Sequence, residues 1–167
     1  MNQKIKDISL APSGRRKIEW VRNNMPLLRQ MEDEFKESRP FDGVKISLSV
    51  HLEAKTAYLC EVLAFGGAVM SVTGSNSLST QDDVAAALAS EGMSVFAVHG
   101  ASDEEYYKHI EMALEHKPNI IIDDGGDLVG MIHSKRPDLG TEVWGGCEET
   151  TTGVIRLRAM EKEGVLK

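Results

Sequence analysis

Residues 119–127 read Asn-Ile-Ile-Ile-Asp-Asp-Gly-Gly-Asp, an apolar run that passes directly into acidic residues and glycines. A short apolar run bounded by turn residues predicts a buried strand, here 119–123. Open α/β sheets bind ligands outside the carboxyl ends of their strands, where Asp123 and Asp124 would lie. The two glycines let the backbone turn sharply or approach a ligand closely. This stretch therefore predicts a fold class and a candidate site together.

Outward from this stretch, apolar runs alternate with patterns of helical period. A helix beginning near Ser13 precedes them, and Pro26 is expected to kink or divide it. Such alternation is typical of a parallel sheet with helices on both faces, an open three-layer α/β fold of Rossmann-like or flavodoxin-like kind. The predicted strands are 44–50, 68–73, 94–98, 119–123 and a brief 142–144; the later helices are 52–64, 79–91, 102–115, 128–134 and 150–163.

Right-handed crossovers would bring the carboxyl ends of all the strands to one edge of the sheet. His51 ends a predicted strand there, so its imidazole is placed either to exchange protons in a crevice or to cap the next helix. Gln81 follows the hydroxyls of Ser79 and Thr80, which we expect to cap a helix; its amide binds a polar ligand or simply belongs to that capped start. The loops expected at this edge are 49–51, 73–81, 98–100 and 123–126.

A second acidic segment, Glu-Glu-Thr-Thr-Thr-Gly at 148–153, opens the last predicted helix. Acids and one threonine are explained by capping and by the helix dipole. Three consecutive threonines are poor helix formers, so capping does not explain the row. Exposed hydroxyls and amides at a helix start would suit a ribose or a phosphate.

Composition excludes several classes of protein. The chain has 167 residues, a net charge of −7 and a pI near 5.2, which argues against nucleic-acid and membrane partners. No apolar run approaches the length of a membrane span and no signal core follows the N-terminus, so we expect one cytoplasmic domain over 1–167. Cys60 falls in an apolar helical pattern and is predicted to be buried.

Motifs for other chemistry are missing from the sequence. The three aspartates of 123–127 could hold Mg²⁺, but nothing else fixes an octahedral cage, so no metal site is predicted. No dinucleotide fingerprint, P-loop or nucleophile elbow occurs. The candidate chemistry therefore rests on carboxylates, one histidine and hydroxyls.

Taken together, these residues resemble the adenosylhomocysteinase (S-adenosylhomocysteine hydrolase) family, and specifically the amino-terminal part of its substrate-binding domain. Each motif alone is weak, but six in the right order are specific. They are 7–11 (DISLA), 25–28 (MPLL), 51–52 (HL), 79–82 (STQD), 123–127 (DDGGD) and 148–153 (EETTTG).

The resemblance implies an NAD-dependent hydrolase that reversibly splits S-adenosylhomocysteine into adenosine and homocysteine. In that family NAD⁺ oxidises the ribose 3′-hydroxyl, homocysteine is eliminated, water adds and the keto group is reduced again. His51 corresponds to the acid–base histidine near the 5′ carbon, and Asp124 and Glu149 to carboxylates around the ribose. Gln81 corresponds to a base-side residue, and the cofactor-binding threonines correspond to Thr150, Thr151 and Thr152.

Two base-side positions depart from the family pattern. Many members carry threonine and glutamate where this chain has Glu53 and Lys55. A cation at position 55 would suit a carbonyl better than an exocyclic amine, so S-inosylhomocysteine is an alternative substrate. A third departure is Cys147, where serine is usual.

The family's catalytic lysine and aspartate and its whole NAD-binding domain are expected beyond Lys167. We therefore expect this chain to be inactive alone and to lack its own NAD. The alternatives are a free-standing nucleoside-binding module, a chain that pairs with a separately encoded cofactor domain, and a fragment of structural interest only. The surface that the cofactor domain would cover is then exposed, and an exposed apolar surface favours self-association into a homo-oligomer.

Overall fold

A parallel sheet forms the centre of the protein. The computed structural model describes residues 3–166, and within them five strands lie in the order β3-β2-β1-β4-β5, with every pairing parallel. The predicted three-layer α/β fold is confirmed. The strands are β1 (Lys45–Val50), β2 (Val69–Gly74), β3 (Ser94–Phe96), β4 (Ile120–Asp123) and β5 (Gly145–Glu148).

Helices cover both faces of the sheet. Pro26 divides the first helical segment, as predicted, because it ends one helix and occupies the first position of the next. The first four helices share one apolar core with β1 and β2, and the next two form a second core on the opposite face. The helices are α1 (Ala11–Asn24), α2 (Pro26–Ser38), α3 (Ala54–Phe65), α4 (Asp82–Ser90), α5 (Asp103–Leu114), α6 (Asp127–Ser134) and α7 (Thr151–Lys162).

Alternation along β1 explains why two different layers form. Ile46, Leu48 and Val50 point into the first core, whereas Ser47 and Ser49 point to the opposite face and are fully buried. The Ser47 hydroxyl donates a hydrogen bond of 2.6 Å to the carbonyl of Ala113 in α5. Small hydroxyl side chains therefore let α5 lie close to the sheet, and the Ser47 hydroxyl finds a backbone partner there.

Two buried glutamates join the first helices to α3. Glu32 and Glu61 are 5% and 2% exposed. Arg22 donates to Glu32 at 3.0 Å, Arg15 donates to Glu61 at 2.7 Å, and the Tyr58 hydroxyl donates to Glu32 at 2.7 Å. Buried carboxylates persist when they are paired in this way, so the layer of α1 and α2 is held by charge as well as by apolar contact.

The edge strand lies later in the chain than the sequence predicted. Residues 142–144 were predicted as the strand, but β5 is Gly145–Glu148 and pairs with β4 from Ile120 opposite Gly145. Glycine is rare in strands and β5 begins with two, so pattern analysis does not detect it. The true register places Glu148 beside Asp123.

The start of α4 also differs from expectation. Gln81 is the N-cap residue and makes no side-chain capping bond, while the hydroxyls of Ser79 and Thr80 donate to the carbonyl of Asn76. The hydroxyl caps predicted there were therefore wrong, because the loop uses those groups for its own turn. Cys60 is buried as predicted, and burial raises the pKa of its thiol to about 12. No helix within 3–166 is long and apolar enough to cross a bilayer.

The close approach of α1 to α4 predicts a specific mutational sensitivity. A Cβ at Gly14 would lie 2.0 Å from the Asp83 carbonyl oxygen and 2.9 Å from Val84 Cα. Because backbone atoms cannot rotate away, we expect Gly14→Ala to lower the free energy of unfolding by about 1–3 kcal/mol in urea denaturation. Gly145→Ala is the control, since a Cβ there meets nothing within 4 Å. Equal losses in both variants would contradict this packing argument.

Candidate functional site

The strand order defines a crevice between β1 and β4. Successive strands run outward from β1 through β2 to β3, and the chain then returns to place β4 on the other side of β1. In parallel sheets such a reversal leaves an opening outside the carboxyl ends of the two central strands. Ser49 pairs with Asp123 in the last row of the ladder. His51 and Asp124, the first residues after β1 and β4, face each other across this opening.

Four polar side chains form a network at the opening. Nδ1 of His51 lies 2.5 Å from the Ser79 hydroxyl, and Nε2 lies 3.6 Å from Oδ2 of Asp124. The same Asp124 oxygen accepts a hydrogen bond of 2.8 Å from the Ser75 hydroxyl. His51 has 54% of its side chain exposed and Asp124 has 11%. The structure thus brings together an accessible imidazole and a largely shielded carboxylate, both held by serines of the β2–α4 loop.

The hydrogen bonds indicate which nitrogen of His51 is basic. The Ser79 hydroxyl donates its hydrogen to the Asn76 carbonyl, so its oxygen is left to accept from Nδ1 of His51. The neutral ring then carries its lone pair on Nε2, the atom that faces Asp124. An imidazole in this tautomer accepts a proton at Nε2, the nitrogen that lies 3.6 Å from the Asp124 carboxylate.

Asp123 builds the turn that presents Asp124. Its carboxylate, 1% exposed as a residue, accepts from the backbone N–H groups of Asp124 at 3.1 Å and Val129 at 3.1 Å. Burial, reinforced by the nearby charges of Glu148 and Asp127, raises the pKa of Asp123 to about 6, although these two hydrogen bonds act in the opposite direction. Asp123 therefore supports the loop from within and does not offer its carboxylate to a ligand.

Glu148 joins the two acidic segments. Its Oε1 accepts from the N–H of Gly125 at 2.9 Å, the N–H of Thr150 at 2.8 Å and the hydroxyl of Thr150 at 2.7 Å. Burial raises the pKa of Glu148, but the backbone hydrogen bonds outweigh it and the pKa lies below its usual value. A Cβ at Gly153 would stand 2.1 Å from Glu148 Cδ, so a larger residue there would displace this carboxylate from its partners.

The neighbouring Glu149 has a different environment. Its backbone N–H donates to the Asp123 carbonyl at 2.9 Å, and its side chain is exposed at the same edge of the sheet. Thr150 caps α7 by accepting from the N–H of Gly153 at 3.0 Å, whereas Thr151 and Thr152 are exposed in the first turn. The helix start is thus one structural threonine followed by two accessible ones.

A second tether holds the glycine loop against α7. Asp127 accepts from the Tyr106 hydroxyl at 2.8 Å and from Arg156 at 2.7 Å, and Arg156 also donates to the Gly125 carbonyl at 3.1 Å. Burial, followed by the Asp127 carboxylate, raises the pKa of Tyr106. The three aspartates of this segment therefore have three separate sets of partners. Within residues 3–166, no group of three His, Cys, Asp or Glu side chains is arranged to hold a metal ion.

The predicted base-side residues line one open cavity of about 640 Å³, beside the start of α3. Glu53 accepts from the N–H groups of Lys55 and Thr56 and so caps α3 through its Oε1. Lys55 is exposed, and Gln81 accepts a hydrogen bond of 2.9 Å from Lys17. The cavity is lined by Ser13, Arg16, Lys17, Trp20, Val21, Glu53, Ala54, Lys55 and Gln81.

Several residues that build the site carry no recognisable signal in the sequence. Ser75 and Ser79 lie in a polar loop that was expected at this edge, but nothing in the pattern shows which hydroxyl reaches which partner. Glu148 was grouped with Glu149 as a helix-start acid, and only the register of β5 separates their environments. Lys17 was interpreted only as part of the first helix, because its neighbour Gln81 is far away in the chain.

Comparison with known proteins identifies the family to which the chain belongs. A family model described as S-adenosyl-L-homocysteine hydrolase matches residues 2–138. The chain is 56% identical over 163 residues to an adenosylhomocysteinase of Pyrococcus abyssi and 55% identical over 163 residues to an S-inosyl-L-homocysteine hydrolase of Methanocaldococcus jannaschii. An adenosylhomocysteinase of Saccharolobus solfataricus is 52% identical over 168 residues. The first two matches cover 98% of this chain and 39% of each relative, and the third covers 100% and 40%.

The buried carboxyl of Asp123 predicts a particular pH dependence. A pKa raised from 3.8 to about 6 means that the folded state holds the proton more tightly. This contribution to stability is complete below the unfolded pKa and is lost as the pH rises through about 6. We expect the free energy of unfolding of Asp123→Asn, relative to the unsubstituted chain, to rise by about 2–3 kcal/mol between pH 4 and pH 7.

Urea denaturation at a series of pH values measures this difference. The Asn variant is expected to be less stable at low pH, because its side chain accepts fewer backbone hydrogen bonds than the carboxyl it replaces. Asp33→Asn is the control, since Asp33 is exposed on α2. Parallel curves for Asp123→Asn and the unsubstituted chain would contradict the assignment.

Proposed function

Since the chain belongs to the S-adenosyl-L-homocysteine hydrolase family, we propose that it forms the part of such an enzyme that holds the nucleoside of S-adenosylhomocysteine. The observation that carries the proposal is the pairing of His51 with Asp124 across the crevice between β1 and β4. The chain spans about 39% of the length of the Pyrococcus and Methanocaldococcus relatives, so we propose that it is inactive alone.

The carboxylates suit a ribose. Asp124 and Glu149 follow adjacent strands at the same edge, and a pair of carboxylates accepts hydrogen bonds from vicinal hydroxyls. Ser75 keeps one oxygen of Asp124 engaged, which fixes the orientation of the carboxylate before a ligand arrives. Because Asp124 is largely shielded from water, its hydrogen bonds to a ribose would be stronger than those of an exposed acid.

His51 suits proton transfer at the 5′ end of the nucleoside. Its Nε2 is accessible, faces Asp124 and carries the lone pair in the neutral ring. We assign His51 the acid–base role at the carbon–sulfur bond: as an imidazolium it protonates the leaving thiolate, and as a base it takes a proton from the water that adds. The first step leaves His51 neutral, so the same imidazole is ready to act as the base in the second, and it carries the proton again after that step.

The start of α7 fits part of a nicotinamide cofactor. NAD⁺, when bound in the complete enzyme, accepts a hydride from the ribose 3′ carbon and returns it. The accessible hydroxyls of Thr151 and Thr152 suit a ribose or a carboxamide. Glu148 and Glu149 stand just before Thr150, and their charge disfavours a phosphate at this helix end. Thr150 is committed to capping α7, so its contribution would be to hold the turn.

A second candidate substrate is S-inosylhomocysteine, and the placement of Lys55 favours it. Lys55 lines the cavity beside Gln81, and an ammonium donates hydrogen bonds but accepts none. The adenosylhomocysteinase of Pyrococcus abyssi is 56% identical to this chain, and the S-inosyl-L-homocysteine hydrolase of Methanocaldococcus jannaschii is 55% identical. Overall similarity therefore does not decide between the two substrates. In either case we propose a cytoplasmic protein that works with a cofactor domain and self-associates.

Calorimetric titration of the chain with adenosine and with inosine tests the site. We expect saturable binding of at least one nucleoside, weakened about tenfold or more in both His51→Ala and Asp124→Asn, because each loses a hydrogen bond to a charged group. Asp33→Asn is the control. A nucleoside that binds equally well to Asp124→Asn would contradict the proposed ribose site, as would the absence of any binding. If the chain converts no adenosine or inosine after NAD⁺ and homocysteine are added, this result agrees with a chain that is inactive alone.

A further inference from the structure

We infer that Lys17 is a specificity-determining residue that orients the Gln81 amide and thereby directs the cavity toward a 6-oxopurine nucleoside. The inference rests on the proposed nucleoside site and specifies which base it takes. The carrying observation is the hydrogen bond of 2.9 Å from Lys17 Nζ to Gln81 Oε1, which joins α1 to the start of α4.

The chemistry of lysine fixes the orientation of the amide. An ammonium has three donors and no acceptor, so the carbonyl oxygen of Gln81 must face Lys17 and the NH₂ group must point away from it. Lys17 is itself held by the Asp83 carboxylate at 2.9 Å. Gln81 makes no capping bond with α4, so Lys17 is the side chain that sets the polarity of this amide.

The remaining groups of the cavity are mainly donors. Lys55 and Arg16 are exposed cations, and both line the cavity with Gln81. The acceptor Glu53 has its Oε1 engaged with two backbone N–H groups at the start of α3. Trp20 also lines the cavity and is 68% exposed, which offers an indole face for stacking a planar base.

A cavity wall that consists mainly of hydrogen-bond donors distinguishes hypoxanthine from adenine. Hypoxanthine, like guanine, presents two neighbouring acceptors, O6 and N7, whereas adenine presents the N7 acceptor beside an N6 amino donor. Lysine ammonium and an oriented amide NH₂ match the first pattern. With adenine, the amino group would meet these donors, and neither Lys55 nor the oriented NH₂ of Gln81 would accept from its hydrogens. If Lys17 were absent, the Gln81 amide could rotate and present its oxygen to the adenine amino group.

The test compares dissociation constants of inosine, adenosine and purine riboside by calorimetry. Purine riboside lacks a substituent at position 6 and so reports binding without the group that distinguishes the two bases. For the unsubstituted chain we expect tighter binding of inosine than of adenosine. In Lys17→Met we expect this preference to fall by about fivefold or more, with the affinity for purine riboside changed less than about twofold.

Two control variants separate orientation from charge. Lys17→Arg keeps a group that only donates and is expected to retain the preference for inosine. Asp83→Asn weakens the hold on Lys17 but leaves its contact with Gln81, so it is expected to lower the preference less than Lys17→Met does. NMR of the Gln81 side-chain amide provides a ligand-independent measurement, and its resonances should shift in Lys17→Met and stay close to their original positions in Lys17→Arg.

The outcomes distinguish the two levels of the argument. Binding of none of the three nucleosides would overturn the proposed function, and this inference with it. Binding of purine riboside with an unchanged inosine preference in Lys17→Met would overturn the inference alone. Unshifted Gln81 amide resonances in Lys17→Met would overturn it as well, whatever the nucleosides do.

Discussion

The parallel pairing of β1 with β4 is the constraint on which the site depends. These strands are far apart in the chain, and the reversal of strand order between them leaves the crevice that no single loop could form. Their last paired residues, Ser49 and Asp123, fix how far His51 and Asp124 stand from each other. A shift of one residue in this register would turn Asp123 toward the other face and remove the turn it supports.

Four carboxylates at this edge divide into two kinds by their surroundings. Asp123 and Glu148 are engaged with backbone N–H groups and hold the β4–α6 turn to the start of α7. Asp124 and Glu149 each follow one of these residues and face the crevice or the solvent. Alternation along a strand produces this division, because neighbouring side chains point in opposite directions. Each supporting acid therefore positions the acid that comes after it.

Much of the fold could be predicted from the sequence because apolar periodicity reports burial directly. The alternation of strands and helices, the division at Pro26 and the buried Cys60 all follow from local patterns. The edge strand β5 was placed too early because its glycines carry no periodic signal. The contacts of Ser75, Ser79 and Lys17 depend on loop paths and on helix packing between distant segments, which one sequence does not encode in any local pattern. The roles of the candidate residues rest on motif resemblance, and the structure supplies their distances.

Glu53 has two structural roles, and their combination has an evolutionary consequence. Its side chain closes the first turn of α3 while its residue lines the base-side cavity. Threonine, found at this position in many members of the family, is also an effective N-cap residue. Exchange between glutamate and threonine would therefore preserve the helix while removing a charge from the cavity. Substitution between the two residues would leave the fold intact. Selection for the preferred nucleoside base could therefore act at this position with little effect on stability.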